Sequence, residues 1–359
     1  MYKAIAIYPS KEEKYLNKCE EYIKLASTYG FNEVFSSMHI PEIDLSSQVI
    51  FCNELSNICR EYDMDLIVDV GGNAIKQILN TLELRNILKN TKIDFIRLDY
   101  GYNHEEVSAL KDIINNKGFI INASIYDYEE SKIEVEFIRS IHSQVRACHN
   151  FYPRVESGID DEHAYVQREI FRSLNVPIYY CIPNIDNPRG PIYQGLPTIE
   201  NHRYERIDKV YEGLVYKYCA DGILLADNFY SEEKFKAINN VIINNPIEIK
   251  VKTINNLYDD IVYKTHTFRY DSNNNYLRSK TSRQMAEFAK SIEPENCIAR
   301  TRGSITIDNK KYERYSGELQ VVLHDNIQDD RVNVVGYIEE KDLDKLLYYK
   351  NGFTYKFVK

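Results

Sequence analysis

Residues Met1–Ser37, MYKAIAIYPSKEEKYLNKCEEYIKLASTYGFNEVFSS, spell out one complete strand–helix–strand unit. Ala4–Tyr8 is a short, almost wholly apolar run that ends in polar residues. A helix-length amphipathic stretch follows from Glu12 to Tyr29, and Gly30 stands where that helix stops. Glu33–Ser37 is the next β-rich run. A short strand that is apolar at nearly every position is covered on both faces, which is the signature of parallel sheet.

The unit recurs along the chain. Further strand-like runs are Leu66–Val70, Phe95–Tyr100, Phe119–Ser124, Val145–Asn150, Ile178–Ile182 and Gly222–Asp227. Helical signals lie between them, among them an N-cap with early acids at Asn103-His-Glu-Glu106 and another at Ser231-Glu-Glu233. Strict alternation implies parallel strands joined by right-handed crossovers. Eight such units in roughly 230 residues match the size of a (β/α)8 TIM barrel. The competing architecture is an open doubly wound sheet. Its dinucleotide-binding form is disfavoured, because no GxGxxG follows the first strand. After Asn244-Asn245-Pro246 the rhythm changes to alternating runs, such as Ile247–Thr253, Glu318–Leu323 and Val332–Tyr337. Asp308-Asn309 reads as a hairpin turn. The expected organisation is an α/β chain with a barrel over residues 1–244 and a small β-rich domain over 245–359.

Composition narrows the function classes. The 359 residues are 43% hydrophobic and 28% charged, ordinary for a globular protein. No apolar run reaches the roughly 20 residues of a membrane span. The N-terminus passes straight into a strand and lacks a signal-peptide pattern, so a cytoplasmic location is expected. The net charge of −9, with no basic stripe, disfavours nucleic acid. The seven cysteines are scattered, with no CxxC, which argues against disulfides or structural zinc. The eight histidines show neither HxH nor HExxH, so no metal is expected.

In a barrel the βα loops open at the carboxyl ends of the strands, and active-site groups collect there. The chain places Asp69, Asp99 and Asp227 at such ends. Arg97 and Asp99 are two apart and share a face, as do Asn122 and Ser124. The sixth strand carries Arg146, Cys148 and Asn150, and then Tyr152 and Arg154; the second leads to His39 and Glu42. A single strand-end acid is most often a helix cap. Three of them, converging with Arg97, Arg146, Asn122 and Asn150 as partners, make sense as a site. Two carboxylates flanking a sugar bond are the minimum for glycoside hydrolysis, with retaining and inverting courses both open. The loop after the seventh strand holds three prolines, Arg189 and Tyr193, and reads equally as an anion site or a structural lid. Cys148 and His149 are adjacent on a strand, so they point to opposite faces and cannot form a nucleophile couple. No strand end offers a lysine, which ranks a Schiff-base aldolase last.

Four stretches carry a family resemblance: RLDYGY at 97–102, ACHNFYPR at 147–154, NPRGPIYQGLPTIENHR at 187–203 and RTRGSITIDNKKYERYSGELQ at 300–320. Together they resemble a bacterial family of barrel proteins with a cyclophilin-like C-terminal domain, the family that contains the 6-phospho-N-acetylmuramidases. The resemblance implies a glycosidase of cell-wall recycling that cleaves 6-phospho-N-acetylmuramic acid–N-acetylglucosamine, a substrate carrying both a phosphate and a lactyl carboxylate. It implies no metal or redox cofactor, and together with the converging strand-end acids it makes Asp69, Asp99 and Asp227 the catalytic candidates. His39, Arg97, Asn122, Asn150, Tyr152, Arg154, Arg189 and Tyr193 are then substrate contacts, with Arg278 and Arg302 from the second domain. The chain departs from the family pattern at Val70-Gly71-Gly72, Val155, Gln194 and Ala226-Asp227-Asn228. A non-catalytic sugar-phosphate binder on the same scaffold is therefore the second expectation. The C-terminal domain is expected either to close over the barrel mouth or to mediate a homo-oligomer.

Overall fold

A computed structural model describes residues 1–273, 275–285, 292–351 and 353–359. It divides into two compact units, Met1–Val241 and Ile242–Lys359. The first is a closed barrel of eight parallel strands: β1 (Tyr2–Ala6), β2 (Glu33–Ser37), β3 (Asp65–Val70), β4 (Phe95–Leu98), β5 (Gly118–Asn122), β6 (Val145–Cys148), β7 (Ile178–Ile182) and β8 (Gly222–Leu225). Strand β1 pairs with both β2 and β8, which closes the ring. The barrel and the separate β-rich unit expected from the sequence are both present.

Alternation along each strand sorts the side chains into two cores. Outward residues such as Val34, Val68, Ile96, Ile121 and Tyr180 pack against the surrounding helices. Inward residues such as Phe35, Ile67, Phe95, Ile120, Cys148, Tyr179 and Leu224 fill the barrel. The barrel is thus plugged in its middle by apolar groups, and polar groups are confined to its two ends. Two helices, Gly72–Asn80 and Leu82–Asn90, cover the crossover from β3 to β4 where one is usual. The capping box read at Asn103 is formed, with Asn103 Oδ1 accepting from the Glu106 amide at 2.9 Å.

Arg146 corrects one expectation. It does not partner the strand-end acids. Its Nη1 donates to Glu33 at 2.5 Å and to the Tyr179 hydroxyl at 2.6 Å, and its guanidinium lies 3.7 Å from the Phe95 ring centroid. The reason is position along the strand. Arg146 precedes Asn150 by four residues, about 13 Å of strand rise, and so faces the amino-terminal end of the barrel.

The second unit is a seven-stranded sheet in the order β10 (Thr265–Thr267), β15 (Thr354–Val358), β9 (Ile247–Thr253), β14 (Val332–Ile338), β12 (Ser304–Asp308), β13 (Leu319–Val322), β11 (Tyr276–Arg278). Its pairings are antiparallel except β15 with β9. Asp308-Asn309 is not a tight hairpin turn. Asn309 instead caps a 3-10 segment, Lys310–Tyr315, and the return to β13 comes only after it. Among the described residues, no helix is long and apolar enough to cross a membrane.

Candidate active site

Asp69 is the fifth residue of β3 and Arg97 the third of β4, and parallel register sets them side by side. Their inward direction follows from Ile67 and Phe95, two residues earlier on the same faces. Arg97 organises the carboxyl end of the barrel. Its Nη1 donates to Asp69 Oδ1 at 2.6 Å and to Asp99 Oδ1 at 3.3 Å, and its Nη2 to Asn150 Oδ1 at 2.6 Å. Asn122 Nδ2 closes the ring, donating to Asn150 Oδ1 at 2.9 Å and to Asp99 Oδ1 at 3.4 Å. His39 Nε2 stands 3.8 Å from Asp99 Oδ2, with its ring edge-on to Tyr100. A cavity of about 420 Å³ opens above this network; Asp69, Asp99, Arg97, His39, Asn150 and Arg189 line it, and Tyr8, Phe35, Glu42, Tyr100 and Phe151 form much of the remaining wall.

The two acids differ. Burial, and after it the charge of Asp99, push the Asp69 carboxyl above the usual range, although Arg97 pulls the other way. Asp99 is the more exposed of the pair, with 18% of its side chain accessible against 11% for Asp69. Arg97 itself is held more firmly protonated by Asp69 and Asp99. Among the described residues, no group of three or more His, Cys, Asp or Glu side chains is arranged to hold a metal ion.

Asp227 stands apart from this pair. It is fully buried, and its carboxylate accepts three backbone N–H groups: Asn184 at 2.7 Å, Arg189 at 2.8 Å and Leu196 at 2.8 Å. Burial raises its pKa and the three amides oppose that. The strand-end position was legible in the sequence; the capture by loop amides was not.

The remaining expected contacts are distributed around the site. Tyr152 is half-buried and outside the cavity lining; its amide donates to the Pro197 carbonyl at 2.9 Å and its carbonyl accepts from Arg203 at 3.0 Å. Arg154 is exposed, and its carbonyl accepts from Arg203 at 3.0 Å. Tyr193 is 63% exposed, in the left-handed region at φ 58°, with its ring over Gly190. Arg278 and Arg302 belong to the second unit, where Arg278 pairs with Asp271 at 3.2 Å and Arg302 with Asp344 at 3.4 Å. Cys148 and His149 do point apart. Cys148 packs inside the barrel, while His149 bonds to Ser124 Oγ at 2.9 Å, packs on Tyr180 and has its pKa pushed down to about 3 by burial.

Two residues that carry the site were missed. Arg203, 1% exposed, donates to the carbonyls of Tyr152, Arg154, Gln194 and Gly195 and to Glu200, so it staples the loops after β6 and β7 together. Its Glu200–Arg203 spacing of three was the available signal. Gly72 is the other. A Cβ there would lie 1.7 Å from the Gly101 carbonyl oxygen, and the Gly72 amide donates to the Tyr100 carbonyl at 2.9 Å. This contact locks the Asp69 loop onto the Asp99 loop. Gly72→Ala is expected to cost about 1–3 kcal/mol of stability from overpacking, and to lower turnover by displacing Asp99. Thermal melting and steady-state kinetics of the variant check both.

Comparison with known proteins follows the same outline. The family described as 6-phospho-N-acetylmuramidase, N-terminal, matches residues 4–240, and its C-terminal counterpart matches residues 246–358. Among solved structures, an uncharacterized protein of B. cereus is similar at 23% identity and a TM-score of 0.70, over 100% of this chain and 99% of that one. A conserved protein of unknown function from Enterococcus faecalis is similar at 28% identity and a TM-score of 0.55, over 100% and 96%. No curated protein matches the chain.

Proposed function

Because the chain belongs to the 6-phospho-N-acetylmuramidase family, we propose that it is a cytoplasmic glycosidase of cell-wall recycling that hydrolyses 6-phospho-N-acetylmuramic acid–N-acetylglucosamine or a closely related phosphorylated disaccharide. The observation that carries this reading is the Asp69–Asp99 pair in the wall of the barrel-mouth cavity. Both carboxylates contact the same Arg97 Nη1, at 2.6 and 3.3 Å, so their nearer oxygens are at most about 6 Å apart, a closeness that favours the narrower carboxyl spacing of retaining enzymes. The spacing supports a retaining course.

The roles follow from the surroundings. Asp69, whose pKa is raised by burial, is the proton donor to the leaving oxygen. Asp99, more open to the cavity and next to His39, attacks the anomeric carbon. Asp69, then ionised, deprotonates the water that releases the sugar. Arg97, still hydrogen-bonded to Asn150, balances the charge that moves between the two acids. Purified protein should release N-acetylglucosamine from the phosphorylated disaccharide.

One observation favours a second reading. Asp69 Oδ1 is already engaged by Arg97 at 2.6 Å, which suits a non-catalytic sugar-phosphate binder. Binding of the disaccharide by calorimetry without any release of N-acetylglucosamine would favour that reading.

A further inference from the structure

We infer that Asp227 is a positioning residue rather than an acid catalyst, and that Arg189, which it aims into the cavity, selects an anionic group of the ligand, a phosphate or a carboxylate. The inference rests on reading the cavity as a phosphosugar site and names the residue that makes it one.

Arg189 is fixed at both ends. Its backbone N–H donates to Asp227 Oδ1 at 2.8 Å. Its guanidinium carbon lies 3.6 Å from the centroid of the Tyr8 ring. That ring is itself rigid: the Tyr8 hydroxyl donates to the Ala226 carbonyl at 2.9 Å, and Phe35 and Phe151 meet the ring edge-on. Asp227 follows Ala226 directly, so one turn of chain after β8 holds both the backbone of Arg189 and the plate under its head. The other two amides on Asp227, from Asn184 and Leu196, tie down the two ends of the loop that carries Arg189. Ordering that loop in advance lowers the entropy cost of binding.

The two cavity arginines are not equivalent. Arg97 is spent on Asp69, Asp99 and Asn150. Among the described residues the Arg189 guanidinium forms no hydrogen bond and no ion pair; its contact is the Tyr8 ring. Its in-plane N–H donors remain available while its face is covered by Tyr8, the arrangement suited to bidentate capture of an oxyanion. An Asp227 whose lone pairs are engaged by three amides is badly placed to exchange a proton with substrate.

Calorimetry with inorganic phosphate and, separately, D-lactate tests the anion site without any turnover. Wild-type protein should bind at least one of the two, and Arg189→Gln should weaken that ion by about tenfold or more, as expected for loss of a charge-assisted bidentate contact. The ion affected distinguishes phosphate from carboxylate. Kinetics then separate positioning from catalysis. Asp227→Asn should raise KM for the phosphorylated disaccharide several-fold with kcat nearly unchanged, and Arg189→Lys should restore part of the affinity lost in Arg189→Gln. Where Asp227→Asn fails to fold, Tyr8→Leu, which removes the plate and its hydroxyl bond to Ala226 but leaves the Asp227 carboxylate in place, should reproduce the weaker ion binding. Equal ion binding by wild type and Arg189→Gln, binding of neither ion by wild type, or a collapse of kcat at unchanged KM in Asp227→Asn would overturn the inference. Failure of wild type to cleave any disaccharide, with Arg189-dependent ion binding intact, would instead overturn the glycosidase reading alone.

Discussion

Asp99→Asn is expected to lower kcat on the phosphorylated disaccharide by at least about 10²–10⁴-fold, with the fold and substrate affinity retained. The substitution keeps the shape of a side chain that accepts from Arg97 at 3.3 Å and from Asn122 at 3.4 Å, so the network can persist while the nucleophile is lost. Asp69→Asn is expected to cost as much, and to change the pH profile in addition. Asp69 must be protonated to donate, and burial has raised its pKa. Turnover is therefore lost as pH rises through that raised value, so the alkaline limb of the wild-type profile should lie above the ordinary carboxylate range. In Asp69→Asn the residual rate should no longer show that limb. Cleavage at the wild-type rate in both variants would remove the pair from the mechanism.

Arg146→Met is expected to destabilise the barrel strongly. The pair it breaks is buried, with Glu33 and Arg146 at 1% and 6% exposure. Burial raises the Glu33 pKa while Arg146 lowers it, so loss of the arginine leaves a buried acid held only by the Tyr179 hydroxyl at 3.0 Å, which must stay charged without a counter-ion or take up a proton. Removing one member of a buried pair costs about 3–5 kcal/mol. For a unit of this size that corresponds to roughly 10 °C in Tm. The deficit should shrink at acid pH, where Glu33 protonates, and grow as pH rises through its raised pKa. Glu33→Gln combined with Arg146→Met should recover much of the loss, because no charge is then stranded. Thermal melts of the single and double variants at two pH values decide this. The effect on turnover should be small, since the pair lies at the end of the barrel away from the cavity.

The contrast between Arg146 and Arg97 shows how far sequence reading reached. Both are inward arginines on barrel strands. The period-2 pattern told which face each occupies, and the strand count told that the faces converge. Depth along the barrel axis depends on where each strand begins in the register, and a single strand does not reveal that. Hence Arg97 partners the strand-end acids as expected, while Arg146, expected to do the same, lies at the other end with Glu33. Asp227 illustrates a different limit. Its strand-end position was plain, but its role depends on three amides up to 43 residues away, from a loop whose path no local pattern encodes. Tyr8 was read as the end of an apolar strand; its use as a plate for Arg189 emerges only when β1 and the loop after β7 meet. Gly72 was visible as a departure at Val70-Gly71-Gly72, and its reason, contact with the Gly101 carbonyl, is a tertiary one.

The pairing of Asp69 with Asp99 around a shared arginine is the claim on which the rest depends. Hydrolysis of 6-phospho-N-acetylmuramic acid–N-acetylglucosamine by the purified chain, followed from the first seconds by proton NMR, tests it most directly. The account predicts that the phosphorylated sugar first appears with the anomeric configuration of the substrate and only later equilibrates. First appearance of the opposite anomer, or no hydrolysis at all, would contradict it.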